Sequence, residues 1–283
     1  MITVLKPGVY TTIQDLGRPG FAHIGVPVSG VMDSYSTKIG NQILKNELHD
    51  AVVEITFGGC QFQFNKDAWI CITGADFYPT IKGNRLLMNT LIKVEKGTVL
   101  IFAKRVQGIR TYLCIKGGIL SETVLKSKSF YKGVTSNFIL KKGDKLAFRT
   151  ATTEINETHS KVKIDATHFT SKSMVCTKGP EFDLLTEKEQ TILIKSPFTI
   201  SNDNNRVGYR LEEKLNTKLK AILTSGVLPG TVQLTPSGTL IVLMRDCQVT
   251  GGYPRVLQLS EMAINQLAQK TTGNQFWFDL KSF

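Results

Sequence analysis

Three short segments gather residue types that could do chemistry. In Thr231–Val256 (TVQLTPSGTLIVLMRDCQVTGGYPRV) an apolar strand pattern ends abruptly in Arg245, Asp246, Cys247, Gln248, Thr250, Gly251, Gly252 and Tyr253. Such a run delivers an acid, a hydroxyl and, through the double glycine, open backbone N–H groups to one place, which is what holding a developing negative charge requires. The same residues also suit a plain hairpin end closed by a surface Arg–Asp pair. In Ser201–Leu211 (SNDNNRVGYRL) an Asn/Asp-rich turn is followed by Arg206 and Arg210 around Gly208 and Tyr209. Two guanidinium groups so spaced can grip a carboxylate or phosphate, or can brace the loop through carbonyls and acidic neighbours. The stretch Ile13–Asp33 packs four glycines, two prolines, Asp15, Arg18 and Asp33 into a pattern too irregular for a strand. Long shaped loops of this kind are often functional; the bland alternative is a turn in which Asp15 and Arg18 pair with each other.

The chemistry missing from the chain narrows the field. It has no G-x-x-x-x-G-K-[ST] phosphate loop and no G-x-G-x-x-G behind a strand. His23, His49, His159 and His168 are too dispersed for a metal-binding pair, and neither H-E-x-x-H nor G-x-S-x-G occurs. A bound metal and a nucleophile-elbow hydrolase are therefore not expected. Cys60, Cys71, Cys114, Cys176 and Cys247 are odd in number and never in C-x-x-C, which argues for reduced thiols rather than disulfides or a zinc knuckle. Four lie in or beside apolar runs and read as small buried hydrophobes. Cys247 alone falls in the polar cluster, and no His lies near it in sequence to activate a nucleophile.

The 283 residues carry a net charge of +12, from 26 Lys and 9 Arg against 23 acids. The lysines are scattered singly with no aromatic interleaving, so a solvated surface is favoured over nucleic-acid binding. Five of the nine arginines, Arg18, Arg206, Arg210, Arg245 and Arg255, fall in the three segments above, where a planar two-pronged donor has a use. No apolar run approaches a membrane span, and no basic-then-apolar leader opens the sequence, so a cytoplasmic location is expected.

The elements that would position these residues read mostly as short strands: VVEITF, QFQF, WICITG, TLIKV, TVLIFA, TYLCI, KLAFR, TILIKS, TVQLT, TLIVLM, VLQLS and QFWFDL. Three helices interrupt them. Asp33 caps one with Tyr35, Ile39, Ile43, Leu44 and Leu48 on one face and Gly40 allowing close packing; Ser260 caps a second, stopped at Gly273; a third runs from Asp183 to Gln190. A polar, Thr-rich stretch from Thr150 to Ser173 marks a boundary. The expectation is a mainly β protein of two barrel-like subdomains, residues 1–165 and 166–283.

QDLGRPGFAHIGVPVSGVMD, EITFGG, YLCIKGG, RVGYRL and RDCQVTGGYP, in that order, resemble the allophanate hydrolase subunit 2 or KipA family, also known as the A/B portion of biotin-dependent carboxyltransferase domains. Its bacterial members include the C-subunit of the ATP-dependent 5-oxoprolinase. The resemblance implies cyclophilin-like β-barrels and work in a heteromer that pairs a KipI-like B-subunit with a LamB/YcsF-like A-subunit. It further implies ATP-driven opening of the 5-oxo-L-proline lactam to L-glutamate, with ATP held on or shared with a partner. The matching positions are Gln14, Asp15, Arg18, Asp33, Glu54, Arg206, Gly208, Tyr209, Arg210, Gln233, Asp246, Thr250, Gly251, Gly252, Tyr253 and Pro254. Cys247, Val249 and Glu181 depart from the family's usual residues.

The resemblance marks these as shared motif positions; from their chemistry Asp246, Arg206, Arg210 and Tyr253 are expected to be catalytic. Asp15, Arg18, Glu54, Gln233, Thr250, Gly251 and Gly252 are expected to bind substrate. The arginines suit anionic oxygens, Asp246 suits a water or the ring N–H, and the glycine amides suit developing charge. If the Arg206 and Asp246 turns converge on one pocket, Asp246→Asn is expected to abolish turnover with folding intact. Two other readings stand beside this one. One is a carboxyltransferase half acting on urea or a similar small amide, its biotin carried on another chain because no Met-Lys-Met segment occurs here. The other is a KipA-like regulator binding a KipI-like kinase inhibitor.

Overall fold

A computed structural model describes residues 1–149, 162 and 164–281. The chain forms two compact units, Met1–Arg18 with Asp33–Asp165, and Pro19–Met32 with Ala166–Phe283. Pro19–Met32 thus groups with the later half of the chain. Both units are mainly β, as the strand-length apolar runs predict.

In the first unit one sheet of seven strands is built around Ile2–Pro7 and Cys60–Phe64, and a second of five strands runs in the order Tyr10–Gln14, Val52–Thr56, Gln107–Ile115, Ala68–Asp76, Ile92–Val94. Cys60–Phe64 alternates strictly, with Cys60, Phe62 and Phe64 buried between the half-exposed Gln61 and Gln63. Ala68–Asp76 and Gln107–Ile115 instead read as nearly continuous buried runs. A strand covered on both faces needs no polar side, and here the helix Ser34–Ile43 packs onto both of them. Asp33 starts that helix by accepting from the Ser36 N–H at 3.1 Å and the Ser36 hydroxyl at 2.7 Å. Gly40 faces the sheet with no side chain of its own; a Cβ there would lie 2.4 Å from Cys114 Sγ and 3.1 Å from Thr73 Cγ2.

The second unit is a closed barrel in the order Ser173–Lys178, Arg255–Leu259, Thr231–Leu234, Thr239–Leu243, Gly208–Lys214, Phe198–Asn204, Gln275–Leu280. All its pairings are antiparallel but one: Ser173–Lys178 runs parallel to Gln275–Leu280, from Ser173 opposite Trp277 to Cys176 opposite Leu280. Closure leaves no free sheet edge. Alternate residues fill the interior, among them Tyr209, Leu211, Val232, Leu240 and Val242. Phe278 packs against Phe198 and Phe276, each with ring centroids 5.3 Å apart.

Several expected elements differ. TILIKS is helical, within Glu187–Lys195, because Thr186 and Glu189 form a reciprocal cap: the Thr186 hydroxyl accepts from the Glu189 N–H, and the Glu189 carboxylate accepts from the Thr186 N–H at 2.7 Å. The expected third helix therefore starts and ends later than Asp183–Gln190. Leu48 falls beyond the first helix and is exposed. The helix capped by Ser260 ends at Leu267, and Gly273, at φ 78°, serves the turn after it. Of the polar stretch expected at the boundary, residues 150–161 and 163 lie outside the described residues.

The Gly40 contact generates a prediction. Gly40→Ala gains about 1 kcal/mol of helix propensity, yet inserts a methyl where Cys114 and Thr73 already sit. Urea denaturation should show net destabilisation of about 1–2 kcal/mol, and Cys114→Ala should relieve it in the double variant.

Candidate functional site

The most site-like place is on the outer surface of the barrel, and strand register builds it. Tyr209 and Leu211 point inward, so Gly208 and Arg210 face out. Gly208 lies opposite Leu243, Arg210 opposite Ile241, Ile241 opposite Gln233 and Gln233 opposite Arg255, which sets one row across four strands. A cleft of about 260 Å³ opens along this row, lined by Arg210, Gln233, Gln248, Tyr253, Asp203 and Asn205 with the apolar Val207, Ile241 and Leu243. Asn205 shapes its rim, its side-chain oxygen accepting from the Val207 and Gly208 N–H groups. Arg210 is half exposed and pairs with Asp203 at 2.6 Å.

A two-stranded ribbon, Ser225–Gly226 paired with Thr250–Gly251, lies over the other end of the row. It buries Gln233, whose side-chain N–H donates to the Tyr253 carbonyl at 3.4 Å and whose side-chain oxygen accepts from Gln248 at 3.4 Å. Gly251 permits this cover, since a Cβ there would be 2.5 Å from the Gln233 amide nitrogen. Beneath the ribbon Val227, Leu243 and Cys247 form a small apolar cluster with Ile241. Burial, then the charge of Asp246, pushes the Cys247 thiol up to about 12, away from the thiolate form a nucleophile uses. Arg255 anchors the ribbon by donating to the Gly226 carbonyl at 3.0 Å, while gripping Glu181 through two nitrogens at 2.8 and 3.0 Å. The hydrogen bonds from Arg255 hold the Glu181 carboxyl below the usual glutamate range. Glu181, a departure from the family pattern, is thereby explained.

Arg206 and Asp246 do converge, but not on the cleft. Arg206 Nε and Nη2 donate to the two Asp246 oxygens at 2.7 and 2.9 Å, with both side chains buried. Arg206 also donates to the Gly30 carbonyl at 2.6 Å, and Asp246 accepts from the Ser29 hydroxyl at 2.6 Å. Ser29 sits at φ 56°, a left-handed position that favours glycine, and its N–H donates to the Arg245 carbonyl at 3.0 Å. The pair therefore clamps Pro19–Met32 within the second unit. Arg206 and Asp246, expected to be catalytic, are placed in this clamp, where each charged group is engaged by the other and by Ser29–Gly30. Neither lines the cleft, and neither do Thr250, Gly251 and Gly252, which form its cover.

The remaining expected residues lie in the first unit. Asp15 is buried and saturated: it accepts from the hydroxyls of Ser127 and Ser129, each at 2.6 Å, and from the N–H groups of Gly17 and Lys128. Arg18, fully buried, donates to the Ser129 carbonyl. Glu54 is buried in Val52–Thr56 opposite Thr12 and Tyr112. The Tyr112 hydroxyl accepts from the Asp33 N–H at 2.8 Å. Burial first, then the charges of Glu54 and Asp33, raise the Tyr112 phenol well above its usual value. Sequence reasoning passed over Tyr112, Ser29 and Asn205, and placed Gln248 in the polar cluster without a role; for Asn205 only its place in the turn before Gly208 gave a signal.

A family model described as the carboxyltransferase domain, subdomain A and B, matches residues 24–280. The chain belongs to that carboxyltransferase family. Relatives include the 5-oxoprolinase C-subunit of Escherichia coli, 31% identical over 98% of this chain and 90% of that protein, and its namesake in Haemophilus influenzae, 29% identical over 100% and 92%. The urea amidolyase of Saccharomyces cerevisiae is 36% identical over 51% of this chain and 8% of its own length. The solved structure of the K. lactis urea amidolyase superposes on 99% of the chain with a TM-score of 0.88 at 26% identity, the match spanning 19% of that longer chain. Among the described residues, no helix of this carboxyltransferase-family chain is long and apolar enough to cross a membrane.

Two outcomes test these assignments. Asp246→Asn removes the charge that balances buried Arg206 and should cost about 3–5 kcal/mol in chemical denaturation, whereas Arg210→Ala, at a half-exposed pair, should cost about 0–1. Because the Glu181 carboxyl is held below its unfolded value, its contribution is present above that value and is lost as pH falls through the folded one. The stability difference between wild type and Glu181→Gln, followed by urea melts, should therefore be constant near neutrality and shrink below about pH 4.

Proposed function

We propose that this chain is the C-subunit of an ATP-dependent 5-oxoprolinase, opening the 5-oxo-L-proline lactam to L-glutamate together with a KipI-like partner and a LamB/YcsF-like partner. One observation carries the reading. Sequence similarity to two proteins named as the 5-oxoprolinase C-subunit runs over nearly the full length of both chains in each comparison, while sequence similarity to the urea amidolyase of Saccharomyces cerevisiae covers half of this chain and 8% of that protein.

The barrel cleft supports a small polar substrate. At about 260 Å³ it lies near the lower bound of ligand pockets, roughly 300–1,000 Å³. Arg210 supplies a cation for a carboxylate, and exchanging Asp203 for that carboxylate costs little because both partners are exposed. The Gln233 and Gln248 amides offer both donors and acceptors, the set a lactam N–C=O needs. Tyr253, partly exposed at the rim, supplies a hydroxyl and a ring face. The cleft is small for a nucleotide at about 260 Å³, it holds one arginine, and the sequence has no glycine-rich phosphate loop. ATP is assigned elsewhere than this cleft, on a partner or a surface shared with one.

The urea amidolyase relatives favour a second reading, in which the chain is a carboxyltransferase half acting on urea with biotin borne by another chain. Reconstitution separates the two. The purified chain alone should release no glutamate from 5-oxoproline, and co-purification with the KipI-like and LamB/YcsF-like partners should give release that requires ATP. In that complex Arg210→Ala should lower kcat/KM by about 10²-fold with an unchanged melting curve. Turnover by the single chain, or carboxylation of urea by a biotinylated carrier with no glutamate release, would overturn the proposal.

A further inference from the structure

A second cleft in the barrel unit, of about 360 Å³, lies away from the row described above. Its walls come from the short helix Thr167–Thr170, Lys172, Lys270 and the Gly273–Gln275 turn. Lys270 is only 6% exposed. Its backbone is fixed at both ends: its N–H donates to the Leu267 carbonyl at 2.9 Å, and its carbonyl accepts from the buried Tyr209 hydroxyl at 3.5 Å. Of the three donors on its ammonium, one reaches the Phe169 carbonyl at 3.3 Å. Lys172 lines the same cleft, with its ammonium 5.9 Å from the Trp277 ring. Among the described residues lining the cleft none is acidic.

Two lysines lining one cleft with no acidic residue among its walls repel each other, and the buried one has given up its water. Burial and the charge of Lys172 accordingly depress the Lys270 ammonium below the usual lysine value. An anion in the cleft would neutralise both groups. The donors favour a particular shape. Lysines act as point charges without the planar fork of arginine, which suits a tetrahedral dianion better than a flat carboxylate. The Asn274 side chain adds a neutral donor: its oxygen accepts from the Thr271 N–H at 3.0 Å, and its NH₂ carries two N–H groups.

We propose that Lys172 and Lys270 form a phosphate-binding site in this cleft, taking a phosphate group either free or as part of a nucleotide. The site is separate from the Arg210–Gln233 cleft and does not depend on the 5-oxoprolinase reading.

Titration calorimetry of the full chain with inorganic phosphate should show one saturable site in moderate salt. Lys172→Ala, at an exposed position, should leave the melting curve unchanged and weaken phosphate binding at least tenfold, and Lys172→Glu should abolish it. Lys270→Met should also abolish it; should that variant fail to fold, the Lys172 pair still decides. Displacement of phosphate by ATP would identify a nucleotide as the source and its absence would identify free phosphate, both consistent with the site. No saturable binding by the wild type, binding unchanged in Lys172→Ala, or acetate and glutamate binding as tightly as phosphate would overturn the proposal.

Discussion

The second unit depends on one buried ion pair. Arg206 and Asp246 occupy two separate barrel turns, and each needs the other because neither charge has water to fall back on. Their spare capacity is spent on Ser29 and Gly30, so the pair also decides where Pro19–Met32 runs. Truncating either partner would strand a charge and leave that segment without its polar anchors. A salt bridge of this kind adds little net stability relative to an apolar isostere; its value lies in fixing one arrangement of three loops.

The cleft follows from that arrangement. Asp246 N–H donates to the Arg206 carbonyl at 2.8 Å and Met244 N–H to the Val207 carbonyl at 2.9 Å, so the two turns continue the strand ladder instead of splaying. With the turns registered, the outer row of Gly208, Arg210, Ile241 and Gln233 is also registered, and the ribbon held by Arg255 can lie over it. Charge is thus used in two ways within a few residues. Arg206 is enclosed and committed, whereas Arg210, four positions on, is half exposed and free to trade its partner.

Much of this was legible in the sequence, and the residues show why the rest was not. Strands such as VVEITF and TLIVLM announce themselves by composition, and the Asp33 and Ser260 caps by residue type. TILIKS misleads because its β-branched residues carry strand propensity, while the deciding feature is the Thr186–Glu189 cap several residues earlier. Convergence of Arg206 with Asp246 could be anticipated from repeated Gly–Tyr turns, but burial could not, since nothing local distinguishes an arginine that turns inward at position 206 from one that turns outward at 210. Ser29 escaped notice for a related reason: its role comes from a partner 217 residues away. Tyr112 was hidden inside an apolar run whose other members are ordinary core residues.

The single parallel pairing in the barrel carries a consequence for synthesis. Ser173–Lys178 can pair with Arg255–Leu259 on one side, but its other neighbour is Gln275–Leu280. During translation the barrel therefore remains an open sheet, with two unsatisfied edges at Ser173–Lys178 and Phe198–Asn204, until the residues through Leu280 have left the ribosome. Contacts that join such distant positions form late and slowly. For that interval the nascent unit exposes two strand edges that closure later removes, so its demand for chaperone protection should fall on Ser173–Lys178 and Phe198–Asn204, the strands that wait for Gln275–Leu280.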